Sequence, residues 1–130
     1  MKTILVDAVD AFVVEERGSF KVFQDMHNLL ETYPNPKIIL TGANDEQYLK
    51  FGLDKMPYPV FTLKHNPEKT DPKYFETLLQ RFNLNKDEVV YFEHNPQAVK
   101  SAESVGLKSY FYDSAKQDLV ALKEFLDNNI

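Results

Sequence analysis

Apolar residues in this chain fall into short continuous runs separated by stretches of helical spacing. Thr3–Val6, Lys37–Leu40, Val60–Leu63, Val89–Phe92 and Lys108–Tyr112 are runs of strand length, the pattern of strands covered on both faces. Ala11–Val14 is a further short extended piece, with Glu15-Glu16-Arg17-Gly18 as the polar turn after it. From Ser19 to about Thr32, Phe20, Val22, Phe23, Met26, Leu29 and Leu30 recur at helical spacing and predict a helix. Asn44 opens another helix, with Gln47 three residues on as its capping-box partner. Asp71-Pro72 and Asn95-Pro96 read as helix starts, because proline at the first helical position gives up an N–H that has no intrahelical partner anyway. Tyr74, Phe75, Leu78, Leu79 and Phe82 form the inward stripe of the first of these, and Gly106 ends the second. Ser114 with Gln117 is the expected cap of a last helix reaching Asn128, with Leu119, Val120, Leu122, Phe125 and Leu126 facing inward.

Five strands alternating with helical crossovers define an α/β protein: a Rossmann-like three-layer α/β/α arrangement around a mainly parallel five-stranded sheet. Ligands of such sheets bind in the crevice at the carboxyl ends of the strands. There the sequence places Asp7, Thr41-Gly42, Glu93-His94-Asn95 and Asp113.

With 130 residues and no repeat, linker or low-complexity tract, the chain reads as one domain. Its apolar runs are too short to span a bilayer or to serve as a signal peptide. The absence of cysteine excludes a disulfide framework, a thiolate nucleophile and a cysteine-based zinc site. A net charge of −5, with lysines and arginines scattered along the chain, argues against a nucleic-acid partner. The expectation is a cytoplasmic protein with neither nucleic acid nor membrane as partner.

The strand-end residues Asp7 and Thr41-Gly42, together with Lys69 just before the Asp71-Pro72 helix start, supply parts for phosphoryl chemistry. Asp7 is a carboxylate nucleophile, a metal ligand or a turn cap. Thr41 offers a hydroxyl and backbone N–H to an anion, with Gly42 permitting close approach, and Lys69 offers a neutralising cation. Taken singly, Thr41 reads equally as a cap and Lys69 as a solvated lysine. His27 and His65 have no partner visible in sequence and read as structural or solvated.

The ordered blocks Ile4-Leu5-Val6-Asp7, Ile38-Ile39-Leu40-Thr41-Gly42, Lys69-Thr70-Asp71-Pro72-Lys73-Tyr74-Phe75 and Val89 through Val99, followed by Ala102 and Gly106-Leu107, resemble the four motifs of the haloacid dehalogenase (HAD) superfamily. The resemblance spans nearly the whole chain. It implies a Rossmann-like sheet with a hairpin flap over Ala11–Phe20; the intervals from Asp7 to Thr41 and from Thr41 to Lys69 leave no room for a large cap domain. It also implies magnesium-dependent hydrolysis of a phosphomonoester through an aspartyl-phosphate. On it, Asp7 is the nucleophile, Thr41 and Gly42 bind phosphate, and Lys69 is the phosphate-binding lysine.

Two motifs depart from the pattern. Val9 stands where the family's phosphatases carry a general acid, while His94 and Ala98 stand where they carry acidic metal ligands. Asp10 is the candidate replacement acid, because a helical turn after Asp7 brings positions i and i+3 together. Asp7, Glu93 and His94 are the candidate metal ligands, although magnesium prefers oxygen and imidazole suits a transition metal better. Three readings of function follow: a cap-less phosphatase, a catalytically inactive binding or regulatory protein on the same fold, and a metal-independent attack on carbon. The last lacks a chamber for its substrate. A two-component receiver domain is set aside because the third strand of the sheet ends in Leu63-Lys64-His65, without a carboxylate.

Overall fold

A computed structural model describes residues 1–130. Five strands, β1 (Thr3–Asp7), β4 (Lys37–Thr41), β5 (Val60–Thr62), β6 (Val89–Glu93) and β7 (Lys108–Phe111), form a wholly parallel sheet in the order β5-β4-β1-β6-β7. β1 is central, and all five of its residues are buried. Its side chains alternate between two cores, as a period of two requires. Ile4 and Val6 join Phe12, Met26, Leu30, Ile39, Val90, Phe92, Leu122 and Leu126 on one face. Leu5 joins Leu40, Tyr74, Phe75, Leu78, Tyr91 and Ala102 on the other. The α/β expectation from the apolar runs is therefore met, with each strand end within a residue or two of its predicted place.

Helices α1 (Gln24–Leu30) and α5 (Leu119–Asn129) cover the first face; α3 (Pro72–Arg81) and α4 (Pro96–Ser104) belong to the second. The short α2 (Asp45–Lys50) follows β4. Its capping box closes as expected: the Asn44 side chain accepts from the Gln47 N–H at 2.9 Å, and the Asn44 N–H donates to Gln47 Oε1 at 3.0 Å. Asp71 and Asn95 cap α3 and α4 ahead of their prolines. Gly106 takes φ +93°, where a Cβ would come within 2.8 Å of Lys86 Cδ. No helix is long and apolar enough to cross a membrane.

Two helix predictions need correction. Ser19–Val22 is not the first turn of a helix but strand β3, paired antiparallel with β2 (Val13–Glu16). Arg17 and Gly18 both adopt positive φ, 53° and 81°, the two-residue turn whose twist matches a hairpin. Exposure then alternates along β3, with Phe20 and Val22 half-buried between exposed Ser19 and Lys21. Phe20 rests on Phe51 with ring centroids 4.7 Å apart. The helix proper begins only at Gln24.

The last helix begins at Leu119, not after Ser114. Asp118 is its cap, accepting from the Ala121 N–H at 3.0 Å. Gln117 sits at φ 49°, a left-handed backbone that interrupts any helix started upstream. Val120, expected to face inward, is 80% exposed. Asp113 closes the preceding turn by accepting from the Ala115 N–H and does not line the cleft described next.

Candidate functional site

The carboxyl ends of β1, β4 and β6 bring Asp7, Thr41 and Glu93 to one end of the sheet. Glu93 and Asp7 end neighbouring strands and are each about 1% exposed. Lys69, on the loop before α3, reaches down to both. Its ammonium donates to Asp7 Oδ1 at 2.8 Å and to Glu93 Oε1 at 2.9 Å. Tyr91 donates its hydroxyl to the same Glu93 oxygen, and the Asn95 N–H donates to Glu93 Oε2 at 3.0 Å.

His94 closes the cluster. Its backbone N–H donates to Asp7 Oδ2 at 3.0 Å, and its ring Nδ1 lies 2.5 Å from the same oxygen and 3.2 Å from Glu93 Oε2. On the far side of the ring, Nε2 lies 3.6 Å from Asp10 Oδ2. Asp10 has φ 72° in the turn after β1, where the Phe12 N–H returns to the Asp7 carbonyl. The chain does turn after Asp7, but not as the expected helical turn, since Asp10 is left-handed, and its carboxylate lies by the outer nitrogen of His94 and not beside Asp7.

The electrostatics follow from this packing. Burial raises the Asp7 carboxyl above its ordinary value, with Lys69 pulling the other way and Glu93 reinforcing the rise. Burial also pushes Glu93 up, but Lys69 and the hydrogen bonds it accepts outweigh this and hold it well below the carboxylate range. Burial disfavours the Lys69 ammonium, yet the two carboxylates hold it charged. Hydrogen bonds to Asp7 and then Glu93 raise His94 from 6.5 to about 10.

A cleft of about 240 Å³ opens above the cluster, bordered by Asp7, Thr41, Gly42, Lys69 and His94. Val9, Ala43 and Phe51 give it an apolar side. Thr41 is fixed twice: its hydroxyl accepts from the Ala43 N–H at 3.1 Å, and its carbonyl accepts from the Tyr74 hydroxyl at 2.7 Å. The N–H groups of Gly42 and Val9 have no acceptor within the chain. Gly42 is closely approached, since a Cβ there would lie 3.4 Å from Glu68 Oε2 and 3.5 Å from His65 Nδ1. Ala98 is fully buried on α4 and offers nothing to the cleft. A larger depression of about 600 Å³ lies at the amino ends of the strands, but none of its charged side chains is buried: Lys86, Asp87, Glu103 and Lys108 are exposed and Lys2 is half-buried.

His65, read from sequence as structural or solvated, borders the cleft. Its Nδ1 lies 2.7 Å from Glu68 Oε1 and its Nε2 2.5 Å from Gln47 Oε1. The Gln47 partner is 18 residues away, so only the fold reveals it. His27 packs edge-on against Phe12 and Tyr58, away from the cleft. Asp7, Glu93 and His94 form a cluster whose potential ligand atoms all lie within 4.8 Å of one another.

No family model and no curated protein matches the chain by sequence. Known structures match its fold, and they define it as that of the haloacid dehalogenase-like proteins. One is a haloacid dehalogenase family enzyme from Bacteroides thetaiotaomicron, an Asp-to-Ala variant in complex with magnesium and inorganic phosphate. It is 10% identical, has a TM-score of 0.64, and the match covers 85% of this chain and 93% of that one. An uncharacterised protein from Corynebacterium glutamicum is 15% identical with a TM-score of 0.61, over 98% of this chain and 96% of its own. A haloacid dehalogenase-like protein of unknown function from Agrobacterium tumefaciens is 16% identical with a TM-score of 0.60; the match covers 84% of this chain and 63% of that longer one. At these identities the likeness is one of fold.

Proposed function

We propose that the protein is a small hydrolase of haloacid dehalogenase type that cleaves a phosphomonoester. The observation that carries this reading is the convergence of Asp7, Lys69 and the Thr41-Gly42 corner on one cleft, with Lys69 2.8 Å from the Asp7 carboxylate. In the reaction, an Asp7 oxygen attacks phosphorus and the bond to the leaving oxygen breaks, giving an aspartyl-phosphate and an alcohol. Lys69 and the unengaged N–H groups of Val9 and Gly42 stabilise the charge on the phosphoryl oxygens. Val9 has no proton to give, so the leaving oxygen takes its proton from His94, which borders the cleft with its Nε2 3.6 Å from Asp10 Oδ2. Water then attacks phosphorus, giving a proton back to the deprotonated His94; the bond from phosphorus to the Asp7 oxygen breaks, releasing inorganic phosphate and restoring Asp7. Only the hairpin β2–β3 and α1 lie between Asp7 and β4, so the cleft has no large cover on that side and suits a bulky phosphate ester.

Magnesium, present with phosphate in the Bacteroides protein, takes oxygen ligands at about 2.0–2.1 Å in near-octahedral geometry. Here every carboxylate oxygen of Asp7 and Glu93 already accepts a hydrogen bond, and the third group of the cluster is an imidazole. That donor set does not fit magnesium, and no step above passes through it.

The test is release of p-nitrophenol from p-nitrophenyl phosphate. Activity in the wild type and background release by Asp7→Asn are expected; activity retained by Asp7→Asn overturns the reading. The placement of His94 on the nucleophile, with Val9 in place of an acid, favours a second reading in which the cleft binds an oxyanion without turnover. It predicts no p-nitrophenol release, yet a rise in Tm with inorganic phosphate that Lys69→Met abolishes.

A further inference from the structure

Two buried carboxylates at the ends of adjacent strands, Asp7 and Glu93, are the usual beginning of a dication site. In this chain the position between them is filled. Nδ1 of His94 lies 2.5 Å from Asp7 Oδ2 and 3.2 Å from Glu93 Oε2, the two oxygens not taken by Lys69. A dication would draw on those same two oxygens and would have to compete with the ring nitrogen for them. A ring nitrogen so close to a carboxylate oxygen carries its hydrogen between them and has no lone pair free for a metal. The ring also shields the pair: its side chain is 29% exposed, whereas the carboxylates beneath are 2% and 1% exposed.

We propose that the His94 side chain is a built-in substitute for a divalent cation, holding the position between Asp7 and Glu93 so that the cleft receives its oxyanion without a metal. That an oxyanion is the ligand rests on the hydrolytic reading above; the occupation of the metal position by His94 does not. The proposal makes one change decisive. His94→Asp removes the donor and adds a third carboxylate at the same strand end, giving the all-oxygen set that magnesium takes.

The experiment is thermal unfolding with and without magnesium, manganese or zinc chloride, since a ligand that binds only the folded state raises Tm. The wild type is expected to show no saturable rise with any of the three. His94→Asp is expected to gain a saturable rise with magnesium that the double variant Asp7→Asn/His94→Asp loses. A metal-dependent rise in the wild type that Asp7→Asn abolishes overturns the proposal, as does a folded His94→Asp protein that gains nothing. A wild-type measurement stands beside these should His94→Asp fail to fold: the amide resonances of Asp7 and His94 stay sharp on adding manganese, and their selective broadening overturns the proposal. Inorganic phosphate completes the set. A rise in wild-type Tm with phosphate in the presence of EDTA supports the proposal, and a rise that requires added magnesium overturns it. No phosphate effect under either condition counts against the hydrolytic reading, and the metal arms still decide the role of His94.

Discussion

Lys69 serves two carboxylates at once, and removing it leaves two buried negative charges facing each other. Breaking a buried ion pair from one side costs about 3–5 kcal/mol; here it leaves Asp7 with only the ring and N–H of His94, and Glu93 with only Tyr91 and the Asn95 N–H, to offset two buried charges. Lys69→Met is therefore expected to lower the unfolding free energy by about that amount in urea titration. Substituting Asp7 as well, in Lys69→Met/Asp7→Asn, should recover part of the loss, since one of the stranded charges is then gone. His94 gives the cluster its pH response. Its folded value is raised from 6.5 to about 10, so the protonated ring stabilises the fold fully below pH 6.5, and that contribution fades as pH rises toward 10. Urea titrations across that range should show wild-type stability falling with pH, and His94→Gln should flatten the fall. At this scale the sequence marked Asp7, Thr41, Gly42 and Lys69 by their position at strand ends and helix starts. It could not show that Glu93 is held by Lys69, Tyr91 and the Asn95 N–H, because those bonds depend on how β6 lies against β1.

Helix and strand boundaries turned on residues whose backbone angle outranks their side-chain pattern. Phe20 and Val22 satisfy both a helical and an alternating pattern over so short a span; the left-handed pair Arg17-Gly18 decides for the hairpin. Ser114 and Gln117 match a capping box, yet the left-handed Gln117 stops the turn and Asp118 takes over as cap. This has a measurable consequence: Asp118→Ala should cost about 1 kcal/mol in thermal or urea unfolding, as the loss of a helix cap does, and Ser114→Ala close to nothing. Where proline and an Asx residue act together, at Asp71-Pro72 and Asn95-Pro96, the helix starts were readable, because the two residues impose the same conformation from independent causes.

For the whole molecule, the continuous apolar runs sufficed to predict a parallel sheet, since only strands covered on both faces are apolar throughout. The strand order is not written in those runs. It follows from crossovers that take β4 and β5 to one side of β1 and β6 and β7 to the other. That order has a consequence for the growing chain. β1 is made before either of its neighbours, and one of them, β6 (Val89–Glu93), follows only after β4, β5 and α3. Until β6 arrives, the central, fully buried strand of the sheet has one edge without a partner, and Asp7 lacks two of the residues that surround it, Glu93 and His94. An unpaired apolar edge is a template for association with other chains. A ribosome paused before residue 89 would thus hold the protein with that edge open, and release of the sixth strand would close it.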